Sequence, residues 1–238
     1  MKSSKDLTIK IFSDGANVNE MKRVYAEGVV SGFTTNPTLM KKDGVKDYAA
    51  FAKDVLSEIK DMPISFEVFT DDFESMERQA NEIASWGDNV YIKIPVTNTK
   101  DEPSYDLINK LSSKGFKLNV TAILTTAQVK SVHDSLNKNT PSIISVFAGR
   151  IADTGRDPIP YMKESYDIVK SSPSVELLWA SSRELLNIVQ AQECGCHIVT
   201  VTNDLLKKLK MIGMDLKELS LDTVKMFYND ASSAGYEF

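Results

Sequence analysis

The sequence predicts an α/β fold: a single (β/α)8 barrel spanning residues 1–238, with an additional helix at its C-terminal end. Three observations predict it. Strand-like and helix-like stretches alternate along the whole chain, and the strands recur every 25–30 residues or so. There are eight such strands, the number that closes a parallel sheet into a barrel. An open doubly wound sheet would be expected to carry a glycine-rich phosphate loop after its first strand, and none is found.

The elements follow in order. TIKIFSD (8–14) is the first strand, followed by the amphipathic stretch NEMKRVYAEG. GFTTN (32–36) precedes DYAAFAKDVLSEIK, and ISFEVF (64–69) precedes FESMERQANEIASW. VYIKIP (90–95) precedes SYDLINKLSSKG, and KLNVTAI (117–123) leads into AQVKSVHDSL. SIISVFA (142–148), ELLWAS (176–181) with ELLNIVQAQECG, and HIVTVT (197–202) complete the set. Asp71 with Glu74, Thr125 with Gln128 and Ser181 with Glu184 have capping-box spacing at helix starts. A last helix is expected around 219–231, before a tail that ends in Tyr236 and Phe238.

Composition narrows the function classes. A net charge of −5 without a basic cluster disfavours nucleic-acid binding. No apolar run approaches the length of a membrane span, and the N-terminal MKSSKDLTIKIF lacks the apolar stretch of a secretory signal, so the cytoplasm is expected. Cys194 and Cys196 are too close for an ordinary disulfide framework and read as small residues at a helix end. His197 reads as structural, and His133 as an exposed helical residue. No His/Cys/carboxylate cluster has metal-ligand spacing, so neither metal nor cofactor is required.

The polar residues inside the strands are the informative ones. A barrel strand is covered on both faces and should be nearly all apolar. Alternation instead gathers polar groups on one parity. Lys93 and Tyr91 oppose Val90, Ile92 and Ile94; Ser65 and Glu67 oppose Phe66 and Val68. Asn119, Thr121 and Ile123 oppose Leu118, Val120 and Ala122, and Thr200 shares a face with Thr202. Asp14, Asn36 and Ser181 end their strands. Burying Lys, Glu and Asp costs several kcal/mol unless they are paired, and barrel enzymes build their sites at the C-terminal strand ends.

Such a set suits amine chemistry. Burial disfavours the charged form of an amine, and a neutral lysine attacks carbonyls to form a Schiff base. The iminium is an electron sink for breaking or making the adjacent carbon–carbon bond. Lys93 is the candidate nucleophile, with Asp14, Glu67 and Thr121 as groups for proton transfer and water positioning. Asn36 and Asn119 can hold hydroxyls of a sugar. Ser181, Ser182 and Arg183, at the junction after the seventh strand, form a candidate phosphate site, with Arg150 as a second cation.

FSDGAN, GFTTNPTLM, YIKIP, LNVTAI, SVFAGRIAD and WASSRE run in order from residue 12 to about 184, and together they resemble the transaldolase family. GFTTNPTLM looks like its strongest signature, with Thr38 in place of the usual serine. The resemblance is to the short bacterial members. It implies transfer of a dihydroxyacetone unit from a ketose phosphate to an aldose phosphate, held covalently on Lys93, in the non-oxidative pentose phosphate pathway. It implies Asp14 as general acid/base, Glu67 and Thr121 on the catalytic water, and Ser145, Arg150, Ser181 and Arg183 at ligand positions. The related fructose-6-phosphate aldolases typically carry glutamine and tyrosine where this chain has Glu67 and Phe147, so the resemblance favours a transferase. A non-catalytic sugar-phosphate-binding barrel is the alternative from another class. The resemblance also implies a homo-oligomer, with the C-terminal helix and tail as interface.

Overall fold

The computed structural model describes residues 3–236, so Phe238 of the tail lies outside the described residues. Eight strands close on one another in sequence order: β1 (Lys10–Asp14), β2 (Gly32–Thr34), β3 (Ile64–Glu67), β4 (Val90–Pro95), β5 (Leu118–Ile123), β6 (Ser142–Val146), β7 (Val175–Trp179) and β8 (Ile198–Thr202). All neighbours are parallel, and β1 against β8 shuts the barrel, with Asp14 opposite Thr202. Helices occupy every connection. They are α1 (Val18–Glu27), α2 (Pro37–Lys42), α3 (Tyr48–Glu58), α4 (Phe73–Ala84), α5 (Tyr105–Ser113), α6 (Thr126–Ser135), α7 (Ala148–Asp153), α8 (Ile159–Val169), α9 (Leu186–Glu193), α10 (Asn203–Leu206) and α11 (Leu216–Ala234). This is a (β/α)8 TIM barrel with an additional C-terminal helix, as the sequence predicts. Among the described residues no helix is long and apolar enough to cross a membrane.

Two apolar layers hold it. Ile11, Phe33, Phe66, Ile92, Val120, Ile144, Leu177 and Val199 face outward and pack under the helices in one continuous core. Burying each such side chain stabilises the fold by roughly 1.5–3 kcal/mol. A smaller cluster, Phe12, Ile143, Leu178, Ala180 and Ile198, fills the barrel interior with Tyr91 and Phe147 against it. Gly32 makes room for this plug, because a Cβ there would lie 2.6 Å from the Phe12 ring.

The strands end earlier than their apolar patterns suggest, because neighbouring chains diverge into loops at the C-terminal rim. β2 stops at Thr34, so Asn36 is the N-cap of α2, its Oδ1 accepting the Leu39 N–H at 3.0 Å. β7 stops at Trp179, and Ser181 lies in a loop with φ 66°. In β5, Ala122 has φ 61° and the register with β6 shifts between Val120 and Ile123. The irregularity reverses the alternation, so Ile123 joins the helix-side core instead of sharing a face with Thr121.

The caps show the same local competition. Thr125 and Gln128 form the expected capping box of α6. Asp72, not Asp71, caps α4 by accepting the Ser75 N–H at 2.8 Å. Asp71 is drawn off by Thr99, whose N–H and hydroxyl reach it at 2.8 and 2.7 Å. Ser181 and Glu184 form no box; α9 starts later, and Asn187 Oδ1 accepts the Arg183 and Glu184 N–H groups at 2.8 and 3.2 Å. His133 is buried, not exposed, because it lies four residues from Val129 on the inner face of α6 and meets Ser172 Oγ at 2.8 Å. His197 is structural, its Nδ1 accepting the Leu177 N–H at 2.9 Å. Cys194 and Cys196 are buried beyond α9, and burial pushes both thiols up.

Candidate active site

The ladder sets the geometry of the site. Across β3, β4 and β5, Glu67 is paired with Lys93, and Lys93 with Asn119. Residues opposite each other in a sheet share a face, so these three side chains enter the barrel at one level. Strand alternation alone therefore brings an ammonium, a carboxylate and an amide together.

Lys93 is 6% exposed. Its Nζ donates to the Thr35 carbonyl at 2.7 Å and sits 3.0 Å from Glu67 Oε2. A buried charge needs such partners, since an unpaired one would cost several kcal/mol. The same contact sets a carboxylate oxygen beside the amine at the edge of the cavity.

Asp14, at the end of β1, lines the same cavity as the amine. Its Oδ1 accepts the Thr34 hydroxyl at 2.9 Å, and Asn36 Nδ2 lies 3.4 Å from both carboxylate oxygens. Burial pushes the Asp14 carboxyl above the usual carboxylate range, partly offset by the positive charge of Lys93 and by these hydrogen bonds. A carboxyl tuned upward exchanges protons more readily near neutrality than an exposed one. Thr34 extends the chain to Thr200, hydroxyl to hydroxyl at 2.7 Å.

A second chain fixes Asn119. Its Nδ2 donates to Ser65 Oγ at 3.0 Å, and its Oδ1 accepts the Ser145 hydroxyl at 2.6 Å. One N–H and one carbonyl lone pair of the amide are left over from these two contacts. Thr121 Oγ1 differs: it is buried with no hydrogen-bond partner among the described residues. A buried hydroxyl of this kind usually serves a water or ligand.

Apart from Thr35 and Ser65, these groups line a cavity of 390 Å³ together with Ala122, Phe147, Arg150, Ser181, Ser182 and Arg183. It is the size of a small-metabolite site. Every site residue predicted from the sequence therefore falls on one cavity. Arg150 is exposed at its mouth, its guanidinium 5.6 Å from the centre of the Phe147 ring. Arg183 is not free: it forms an ion pair with Asp153, at the end of α7. Both partners are half exposed, so the pair is of the kind worth at most about 1 kcal/mol, and an incoming phosphate can compete for the guanidinium. Among the described residues, two of the three non-glycine residues with positive φ, Ala122 and Ser181, lie on the cavity wall. Such conformations cost energy and gather at binding sites.

Sequence reasoning missed three contributors. Thr34 and the Thr35 carbonyl lie inside a stretch that was singled out, but for its asparagine alone. Tyr48, whose hydroxyl lies 2.7 Å from the Glu67 N–H, stands at the start of an ordinary amphipathic helix. Nothing in its neighbourhood in sequence marks it, because the contact spans 19 residues.

Comparison with known proteins shows the family. The model of the family described as transaldolase/fructose-6-phosphate aldolase matches residues 11–237. The chain is 34% identical over 223 residues to a probable transaldolase of Thermoanaerobacter sp. (strain X514), covering 91% of this chain and 95% of that one. It is 35% identical to a probable transaldolase of Methanococcus maripaludis (strain C5 / ATCC BAA-1333), covering 84% of this chain and 89% of the relative. A probable transaldolase of Streptococcus agalactiae serotype V (strain ATCC BAA-611 / 2603 V/R) is 36% identical, with 81% and 86% covered.

Proposed function

Because the chain belongs to the transaldolase/fructose-6-phosphate aldolase family, we propose that it is a transaldolase. It would take a dihydroxyacetone unit from sedoheptulose 7-phosphate or fructose 6-phosphate and pass it to glyceraldehyde 3-phosphate or erythrose 4-phosphate, through a Schiff base on Lys93, in the pentose phosphate pathway of the cytoplasm. One observation carries the reading: Lys93 Nζ lies 3.0 Å from the Glu67 carboxylate at the floor of a cavity that Asp14 also lines.

The steps follow from the residues present. Lys93 gives a proton to Glu67, and the neutral Nζ adds to the ketose carbonyl carbon. Glu67 returns that proton to the carbinolamine oxygen, which leaves as water, and the iminium remains. Asp14 takes the proton of the hydroxyl on the far carbon of the bond to be cleaved, the carbon that becomes the departing aldehyde. That bond breaks as its electrons move to the iminium nitrogen, and an aldose phosphate departs. The remaining enamine attacks the acceptor aldehyde, whose oxygen receives the proton held on Asp14. A water between Glu67 and Thr121 then hydrolyses the imine; the unpartnered Thr121 hydroxyl supports this role. Asn36, Asn119 and Ser145 hold sugar hydroxyls, and Ser181, Arg150 and Arg183 receive the phosphate. The mechanism calls on no cofactor.

Transfer is favoured over release of free dihydroxyacetone. Phe147 lines the cavity, and no tyrosine hydroxyl does so among the described residues, so a phenol is not at hand to protonate the enamine. The test supplies fructose 6-phosphate with borohydride and maps the labelled peptide; a reduced adduct on Lys93 is expected, and its absence sinks both enzymatic readings. Fast formation of glyceraldehyde 3-phosphate without erythrose 4-phosphate would convert the reading to an aldolase.

The working form is a homo-oligomer that covers α11. Support comes from the helix itself, which has no buried residue and exposes Leu221, Val224 and Phe227.

A further inference from the structure

We infer that Tyr48, at the first turn of α3, is a positioning residue that frees the Thr35 carbonyl to hold Lys93. The inference rests on the Schiff-base reading of Lys93 above.

The starting point is a hydrogen bond that the sheet omits. β2 and β3 pair with Phe33 opposite Ile64 and Thr34 opposite Ser65. In keeping with that register, the Phe33 N–H donates to the Pro63 carbonyl at 2.9 Å and the Thr35 N–H to the Ser65 carbonyl at 3.1 Å. The next rung of a parallel ladder joins the Glu67 N–H to the Thr35 carbonyl. Instead, the Thr35 carbonyl accepts from Lys93 Nζ at 2.7 Å. The Glu67 N–H donates to the Tyr48 hydroxyl oxygen at 2.7 Å, and the Tyr48 hydroxyl donates to the Glu67 carbonyl at 3.2 Å.

One phenol thus replaces one rung. A buried backbone N–H is rarely left without an acceptor. Without the hydroxyl, the Glu67 N–H would turn to the Thr35 carbonyl and draw its oxygen toward β3, away from Lys93 Nζ, which would lose its shortest hydrogen bond. The task needs a group that donates and accepts at once, which a neutral phenol does. Burial pushes Tyr48 well above the usual tyrosine range, so it keeps its proton at any working pH.

Local structure holds the hydroxyl in place. Asp47 caps α3, accepting the Ala50 N–H at 2.9 Å, and so sets where Tyr48 enters the helix. The ring packs edge-on to Phe66 at 6.0 Å and to Trp86 at 5.3 Å, and tilts against Phe69 at 4.5 Å. Tyr48 does not line the reaction cavity, so it acts through Glu67 and Thr35 rather than on substrate.

The test compares full-length wild type with Tyr48→Phe and Trp86→Phe. Steady-state kinetics use fructose 6-phosphate and erythrose 4-phosphate, borohydride trapping reports the Lys93 adduct, and a crystal structure of Tyr48→Phe is solved. For Tyr48→Phe, kcat and the trapping rate should fall about tenfold or more while KM stays within about twofold. In its crystal structure Lys93 Nζ should move beyond hydrogen-bond range of the Thr35 carbonyl. Trp86→Phe weakens the aromatic packing but keeps the hydroxyl; it should lower Tm and leave kcat unchanged. The proposal is overturned if Tyr48→Phe retains wild-type kcat, if Trp86→Phe loses as much kcat as Tyr48→Phe, or if the Lys93–Thr35 distance persists in Tyr48→Phe. A wild-type protein that forms no adduct overturns the Schiff-base reading instead; the distance in the Tyr48→Phe crystal then decides the positioning by itself.

Discussion

Asp14 shows what a reactive site costs at the scale of one residue. Burial raises its pKa despite the nearby Lys93 charge. The folded protein therefore holds the Asp14 proton to higher pH than the unfolded chain does. The resulting stability is fully present below the ordinary aspartate value and is lost as pH rises through the raised one. Above the raised value the ionised, desolvated carboxylate is a liability. Asp14→Asn should raise Tm at pH 7–8, and the gain should shrink toward pH 4; thermal melts across pH read it directly. The same variant should lose roughly 10²- to 10⁴-fold in kcat, the usual range for removing a general acid/base. Arg183 behaves differently, being exposed and already paired with Asp153. Arg183→Ala should cost little stability and raise KM for phosphorylated substrates about tenfold or more, with a smaller change in kcat. An unchanged KM would remove Arg183 from the phosphate site.

At the scale of elements, the loops after β6 and β7 are built against each other. The start of α7 rests on the loop containing Ser181. A Cβ added at Gly149 would lie 1.6 Å from the Ser181 carbonyl oxygen, so nothing larger than hydrogen fits without moving backbone. Gly149→Ala should therefore destabilise by about 1–3 kcal/mol, as overpacked sites do. It should also raise KM for phosphorylated substrates, because Ser181, Ser182 and Arg183 shift with the loop. Denaturant melts with parallel kinetics check both effects; a variant of native stability and native KM would show that the loop yields freely. The left-handed Ser181 and the helical Gly149 are two sides of this one contact.

At the scale of the whole molecule, the barrel and its last helix obey different rules. α1 to α10 each serve the core or a strand, whereas α11 has no buried residue along its 19 positions. Leu216, Leu221, Val224, Met226, Phe227 and Tyr228 are all exposed. Apolar surface gathered on one helix marks an interaction site more often than a solvated face. A paired substitution, Val224→Glu with Phe227→Glu, should shift the protein to a smaller species in size-exclusion chromatography with light scattering, and should leave the fold intact by circular dichroism. Wild-type protein that elutes as a monomer at micromolar concentration would remove the oligomer from the functional reading.

The barrel is legible in the amino-acid order, because each strand states its own alternation and each connection its own helical period. It also singled out Lys93, Glu67 and Asn119, since a charge or amide on an otherwise apolar strand has no cheaper place than the inside. Ile123 was misread because strand parity assumes regular backbone, and Ala122 breaks it with φ 61°. Asp71 and Ser181 were misread as caps because local spacing cannot show that Thr99 claims one and a strained loop holds the other. His133 was misread because the face of α6 that turns inward depends on its neighbours. Partners across the chain come from packing alone: the Thr35 carbonyl with Lys93, Tyr48 with Glu67, and Arg183 with Asp153. Those contacts join residues 58, 19 and 30 positions apart. Periodicity reports only which face of its own element a residue occupies. Partners across the chain are set by how closed strands and packed helices bring distant faces together, and by the need of every buried polar group for a partner.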